Sequence, residues 1–200
     1  MTALLQDRDV LMRSTDATWT YELWEQLSHD EYRYEIINGV LYMSTAPSPD
    51  HQRIGGRLYI TLREQLDLRG LGETFFAPIG LVIPGATPVQ PDLVVVLVGD
   101  ADIVSAKRIE GIPALVVEIL SPSTVEYDLV TKRAIYARAG VPEYWVARPI
   151  QRDFIVHSDP DTFTGEYRRV AIIPPDGDLV SPTLPFRAPV AAFFVGTGRA

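Results

Sequence analysis

Cysteine is absent from the chain, so disulfides and thiolate metal sites are excluded. Histidine is scarce, at three in 200 residues, which argues against a His-rich zinc site. Only two of the 18 basic residues are lysine, Lys107 and Lys132, and Asn38 is the sole asparagine. The opening segment, MTALLQDRDVLMRSTDAT, mixes Asp and Arg into its apolar residues. It has the character of neither a signal peptide nor a membrane span, so a cytoplasmic protein is the simplest expectation. Positive charge is also in short supply. The net charge of −8 argues against a protein that coats DNA through general phosphate attraction, though not against an acidic site that binds cations. Neither an internal repeat nor a low-complexity tail interrupts the chain.

What is present is ordinary globular material, 46% hydrophobic and 22% charged, enough to bury a core. Residues 1–17 read as a loose arm and 18–200 as a single domain. Thr20 can cap a short helix over Tyr21–Leu27. Two strand-like runs, Arg33–Ile37 and Val40–Ser44, flank Asn38-Gly39, a dipeptide that supplies the positive φ of a tight hairpin. Ile54, Leu58, Leu62 and Leu66 recur every four residues and predict an amphipathic helix over Asp50–Arg69, with Gly55-Gly56 permitting close packing. Glu73–Ala77 and Leu81–Ile83 read as a second pair of short strands. Asp92–Val98 reads as a central strand, and the connection Gly99–Pro113 as holding a short helix near Asp102–Arg108. Leu115–Leu120 reads as a strand. A helix over Val125–Ala139 follows, capped by Ser123 or Thr124 and stopped by Gly140. Glu143–Ala147 is a further strand, with Phe154–Val156, Tyr167–Ile173 and Val190–Val195 as peripheral strands. The pattern is α+β, a mixed central sheet with an antiparallel meander flanked by helices.

The stretch ALVVEILSPSTVEYDLVTK carries the chemistry. Glu118 interrupts an apolar strand, and a carboxylate there is costly unless it is paired or binds a metal. Asp92 opens another apolar strand. If the two strands pair antiparallel, the start of one lies beside the end of the other and the acids can share a divalent cation. Parallel pairing would separate them by about 15–20 Å. Lys132 lies on the helix after Glu118 and reaches back if that helix crosses the sheet. Two carboxylates and an ammonium suit metal-assisted hydrolysis of a phosphodiester: carboxylates hold Mg²⁺, and a nearby Lys stabilises developing charge or orients water. The bland alternatives stand beside this. Asp92 can simply open a turn, and Asp128 is four residues before Lys132, as in an exposed helical ion pair. His51 and Gln52 fall in a first helical turn, where polar residues are commonly solvated. Tyr136, Tyr144 and Trp145 read as packing.

The segments YEIINGVL, HQRIGGRL, PVQPDLVVV, ALVVEILSPST and YDLVTKRAIYARAGVPEYWV resemble, in this order, the Uma2 family of endonucleases in the PD-(D/E)XK superfamily. The resemblance covers about Trp19–Arg169 and is specific over Val116–Trp145. It implies a restriction-endonuclease-like core, a bacterial source, and Mg²⁺, with Mn²⁺ as a substitute, in an acidic cleft. It also implies a nucleic-acid substrate, DNA before RNA, and by analogy a homodimer. Carried over by position, Pro91-Asp92 is the PD pair and Glu118 the second acid. Glu35 matches an additional acid from an early element. Catalysis would then fall to Asp92, Glu118, Lys132 and Glu35, with Asp92, Glu118 and Glu35 as metal ligands. The superfamily usually places Lys two residues after the second acid, where this chain has Leu120. Variants in which that Lys has moved to the following helix match Lys132. Arg148 stands where relatives often carry Asp. A nuclease-fold module that binds or assembles without cutting is the second reading, and a hydrolase of small phosphates a third.

Overall fold

The computed structural model describes residues 10–14, 18–20, 23, 33–37, 40–44, 47–84, 88–121 and 125–198. In chain order, β1 (Val10–Arg13), β2 (Arg33–Ile37) and β3 (Val40–Ser44) precede the helix α1 (Pro49–Gln65). Then come β4 (Gly72–Phe76), β5 (Leu81–Val82), β6 (Leu93–Leu97), β7 (Ile109–Glu110) and β8 (Leu115–Ile119). The second helix begins with a wide π-helical turn, Tyr127–Lys132, and continues as α2 (Arg133–Ala139). The chain closes with β9 (Glu143–Arg148), β10 (Asp153–Asp161), β11 (Glu166–Ile173), β12 (Asp178–Val180) and β13 (Arg187–Pro189).

The centre is a six-stranded sheet in the order β11-β10-β9-β8-β6-β4. Every step is antiparallel except β8–β9, which is parallel. A parallel step needs a crossover, and the helix over residues 125–139 provides it. The α+β reading therefore holds, with an antiparallel meander on one side of the crossover.

Strand alternation sorts side chains onto two faces. On one face Leu93, Val95, Leu115, Val117, Ile119 and Trp145 pack against Ile54, Leu58 and Leu62 of α1. On the other, Val94, Val96, Val116, Tyr144 and Val146 pack under Tyr136 and Ala137 of α2. Ser48 caps α1, its Oγ accepting from the His51 N–H at 3.2 Å. At Gly55 a Cβ would stand 3.3 Å from Ile119 Cδ1, so the glycine lets α1 lie close to the end of β8.

Several expectations need correction. Val10–Arg13, inside the segment read as a loose arm, forms β1 and pairs with β3. The strands β4 and β5 are not partners: β4 joins β6 at the edge of the main sheet, while β5 pairs in parallel with β7. The connection after β6 holds a 3₁₀ turn at Val98–Ile103 rather than a helix near Asp102–Arg108. The strand β10 runs to Asp161 and sits inside the main sheet, not at its periphery. Val190–Val195 is not a strand. Alternation would send Phe193 and Phe194 to opposite faces, yet both rings meet Phe154, with centroids 5.5 Å away in each case. A short 3₁₀ turn, Val190–Ala192, allows this. The Tyr21–Leu27 helix lies largely outside the described residues, as do the Asn38-Gly39 turn and the Ser123 or Thr124 cap.

Two buried polar groups hold the far half of the sheet. Glu143 is fully buried in the α1-side core. Its Oε1 accepts from Ser181 Oγ at 2.5 Å, from the Thr183 N–H at 2.6 Å and from the Thr183 hydroxyl, and its Oε2 from Trp145 Nε1 at 2.8 Å. Replacement by Ala strands those donors, so Glu143→Ala is expected to destabilise by about 3 kcal/mol in urea denaturation.

His157 is the second. It stacks on Tyr144 and its Nδ1–H donates to the Tyr144 carbonyl at 3.2 Å. Burial, aided by the Arg133 charge, pulls its pKa from 6.5 to about 4. Unfolding restores a basic imidazole. The neutral ring therefore contributes fully above pH 6.5, and that contribution is lost as pH falls from about 6.5 to 4. The loss is expected to reach up to about 3 kcal/mol. Urea denaturation across this range should show that slope, and His157→Phe should flatten it.

Candidate active site

The strands β6 and β8 pair antiparallel with Leu93 opposite Val117. One further step of the same register sets Asp92 opposite Glu118. Both acids are buried, 6% and 2% exposed. Glu118 shares the face of Val116 that α2 covers, because 116 and 118 are two apart on one strand.

Lys132 comes down onto Glu118 from that helix. Its Nζ is 3.0 Å from Glu118 Oε1 and 3.3 Å from Asp128 Oδ1, and all three groups are buried. The Asp128–Lys132 pair is thus an interior one, which corrects the reading of a solvated helical ion pair. Tyr136, one turn beyond Lys132, donates its hydroxyl to Glu118 Oε1 at 3.1 Å. Tyr144 on β9 donates to the Asp128 carbonyl at 2.9 Å. Burial foremost, then the charges of Asp128 and Glu118, push the Tyr144 pKa well above the usual tyrosine range, so this hydroxyl stays a donor. π-Helical turns recur at functional sites, and here one supplies both Asp128 and Lys132.

Asp92 is held by the neighbouring strand β8 and by α1. Its Oδ2 accepts from the Ile119 N–H at 2.8 Å and lies 3.0 Å from His51 Nε2. Gly55, four residues after His51, is what brings this end of α1 against β8. In the small sheet β1-β3-β2, Glu35 is registered opposite Tyr42. The Tyr42 ring meets Tyr127 of the π-helical turn, with centroids 4.5 Å apart. The small sheet thereby touches the start of the π-helical turn. The Glu35 side chain lies outside the described residues.

The comparisons bear on what this arrangement belongs to. Residues 20–191 match the family model described as "Uma2: Putative restriction endonuclease". The chain belongs to the Uma2 family. A solved structure titled as a "putative nuclease belonging to DUF820" from Anabaena variabilis superposes with a TM-score of 0.73 at 16% identity, over 88% of this chain and 97% of that one. The two chains therefore share one fold. No functionally curated protein matches.

Within this Uma2 chain, the strand-end position Leu120 packs against the core on the α2 side, and Lys132 reaches Glu118 from above instead. Arg148 is committed to Asp153 through two contacts of 2.7 and 2.6 Å. No helix among the described residues is long and apolar enough to cross a membrane.

Among the described residues no three His, Asp or Glu side chains form a ready-made metal cage. The donor chemistry still suits Mg²⁺, which is commonly held by one or two carboxylates with waters and substrate phosphate. Asp92 and Glu118 on adjacent strands supply two such carboxylates.

Three of these residues carry little signal in the sequence: His51 reads as a first-turn polar group, Tyr136 as packing and Asp128 as an exposed helical partner. The i, i+4 spacings 128–132 and 132–136 were the available signal for the last two.

Lys132→Met would leave Glu118 and Asp128 buried without their common cation. It is expected to destabilise by about 3–5 kcal/mol in urea denaturation. Tyr136→Phe, which leaves the ion pairs intact, should cost only about 1 kcal/mol.

Proposed function

We propose that this Uma2 protein is a divalent-cation-dependent endonuclease that hydrolyses phosphodiester bonds in nucleic acid, with DNA as the substrate. The reading is carried by one observation: a buried acid pair on adjacent antiparallel strands meets a buried lysine from the crossover helix. In this reading Asp92, Glu118 and Glu35 are the ligands of Mg²⁺, for which Mn²⁺ can substitute. The cation, when bound, polarises a phosphate oxygen and lowers the pKa of a coordinated water. The Ile119 N–H and His51 fix the Asp92 carboxylate, so its oxygens are oriented before substrate arrives. Lys132 offers its ammonium to the charge that develops on the phosphate or orients the attacking water. Cutting both strands of a duplex needs two such sites, so a homodimer in the cytoplasm is part of the proposal.

A second reading, a nuclease-fold module that binds without cutting, draws on Lys132 being engaged by two carboxylates at once. The two separate in a titration of Mg²⁺ and Mn²⁺ against supercoiled plasmid and single-stranded DNA. Wild-type protein is expected to nick or linearise the plasmid. Asp92→Ala and Lys132→Ala are each expected to lower the rate about 100-fold or more. Equal rates in all three proteins would put the activity elsewhere, and no cleavage by any of them would favour the binding module.

A further inference from the structure

In the nuclease reading Glu118 carries two demands that conflict. It is the partner of the buried Lys132 ammonium at 3.0 Å, and it must also turn its carboxylate to a cation. An ammonium left in the interior without a counter-charge is strongly disfavoured. Lys132 would hold Glu118 back unless another anion stood ready.

Asp128 is that anion. Its Oδ1 is 3.3 Å from Lys132 Nζ, and it is 2% exposed. It is fixed independently of Glu118. The Tyr144 hydroxyl holds its backbone carbonyl at 2.9 Å, and Tyr144 is itself braced by the stacked His157. Both Asp128 and Lys132 lie in the same π-helical turn, four residues apart, so the backbone keeps the two side chains within reach of each other.

We propose that Asp128 is a positioning residue that retains the Lys132 ammonium while Glu118 is released to a divalent cation. The inference rests on the nuclease reading and adds to it a role for a residue outside the ligand set.

Mn²⁺ binding, followed by titration calorimetry together with thermal melting, tests it apart from activity. Asp128→Asn removes one of the carboxylates that hold Lys132 and is expected to weaken Mn²⁺ binding about 10-fold. In a Lys132→Met background the same substitution should have a clearly smaller effect, because there is no ammonium left to hold. Tyr144→Phe keeps every charge and removes only the hydroxyl on the Asp128 carbonyl, and it should weaken binding by a few-fold. A lower melting temperature with wild-type Mn²⁺ affinity in Asp128→Asn would overturn the proposal, as would an equal loss in both backgrounds. Should Asp128→Asn not fold, unchanged affinity in Tyr144→Phe overturns it instead. Absence of Mn²⁺ binding by wild type is a different result, since it removes the nuclease reading along with the inference.

Discussion

The antiparallel pairing of β6 with β8 is the constraint on which the site depends. It brings the first residue before one strand beside the fourth residue of the other, and so turns two acids 26 positions apart into neighbours. A parallel arrangement of the same two strands would leave Asp92 and Glu118 at opposite ends. The next pairing, β8 with β9, has to be parallel for the complementary reason. It forces the chain off the sheet after β8, over the face that Glu118 occupies, and the crossover delivers Lys132 there. One antiparallel and one parallel step, side by side, account for most of the geometry.

The interior around Glu118 is held by charge as much as by shape. Apolar contacts set how close the crossover helix lies, through Tyr136 and Ala137 against Val116, Tyr144 and Val146. Within that frame the polar groups meet one another: Lys132 between two carboxylates, the Tyr136 hydroxyl on one, the Tyr144 hydroxyl on the backbone of the other. Such a cluster tolerates little, because removing any member leaves a buried charge or donor with less than it needs. Asp92, one register step beyond the Leu93–Val117 pair and so opposite Glu118, is fixed by a backbone amide and an imidazole.

Much of this was legible before any coordinates. Asn38-Gly39 between two alternating runs fixed the bounds of β2 and β3, and four leucine or isoleucine positions at intervals of four located α1. A glutamate in the middle of an apolar strand pointed to Glu118 without reference to any family. Lys132 needed the family resemblance, because its sequence distance from Glu118 is a property of the helix and not of the site. The residues missed share one cause. The 128–132 spacing looks the same on the outside of a helix as on the inside, and only tertiary packing decides which side faces the sheet. Val190–Val195 failed for a related reason: a short apolar run has no periodicity of its own, and the position of Phe154 dictated a turn.

The far end of the described chain closes over α1. Phe193 and Phe194 are buried in the α1-side core, Arg57 donates to the Phe193 carbonyl at 3.1 Å, and the Gly198 N–H reaches Asp50 at 2.7 Å. The helix start that carries His51 is therefore clasped by residues made some 140 positions later (His51 to Phe193 and Phe194). During synthesis the sheet residues Leu93 to Trp145 reach the apolar face of α1 before Phe193 and Phe194 do, so the clasp on the helix that carries His51 is among the last contacts to form. The acid pair cannot form before Glu118 has been made, and the contacts that clasp the helix carrying its imidazole brace follow later still.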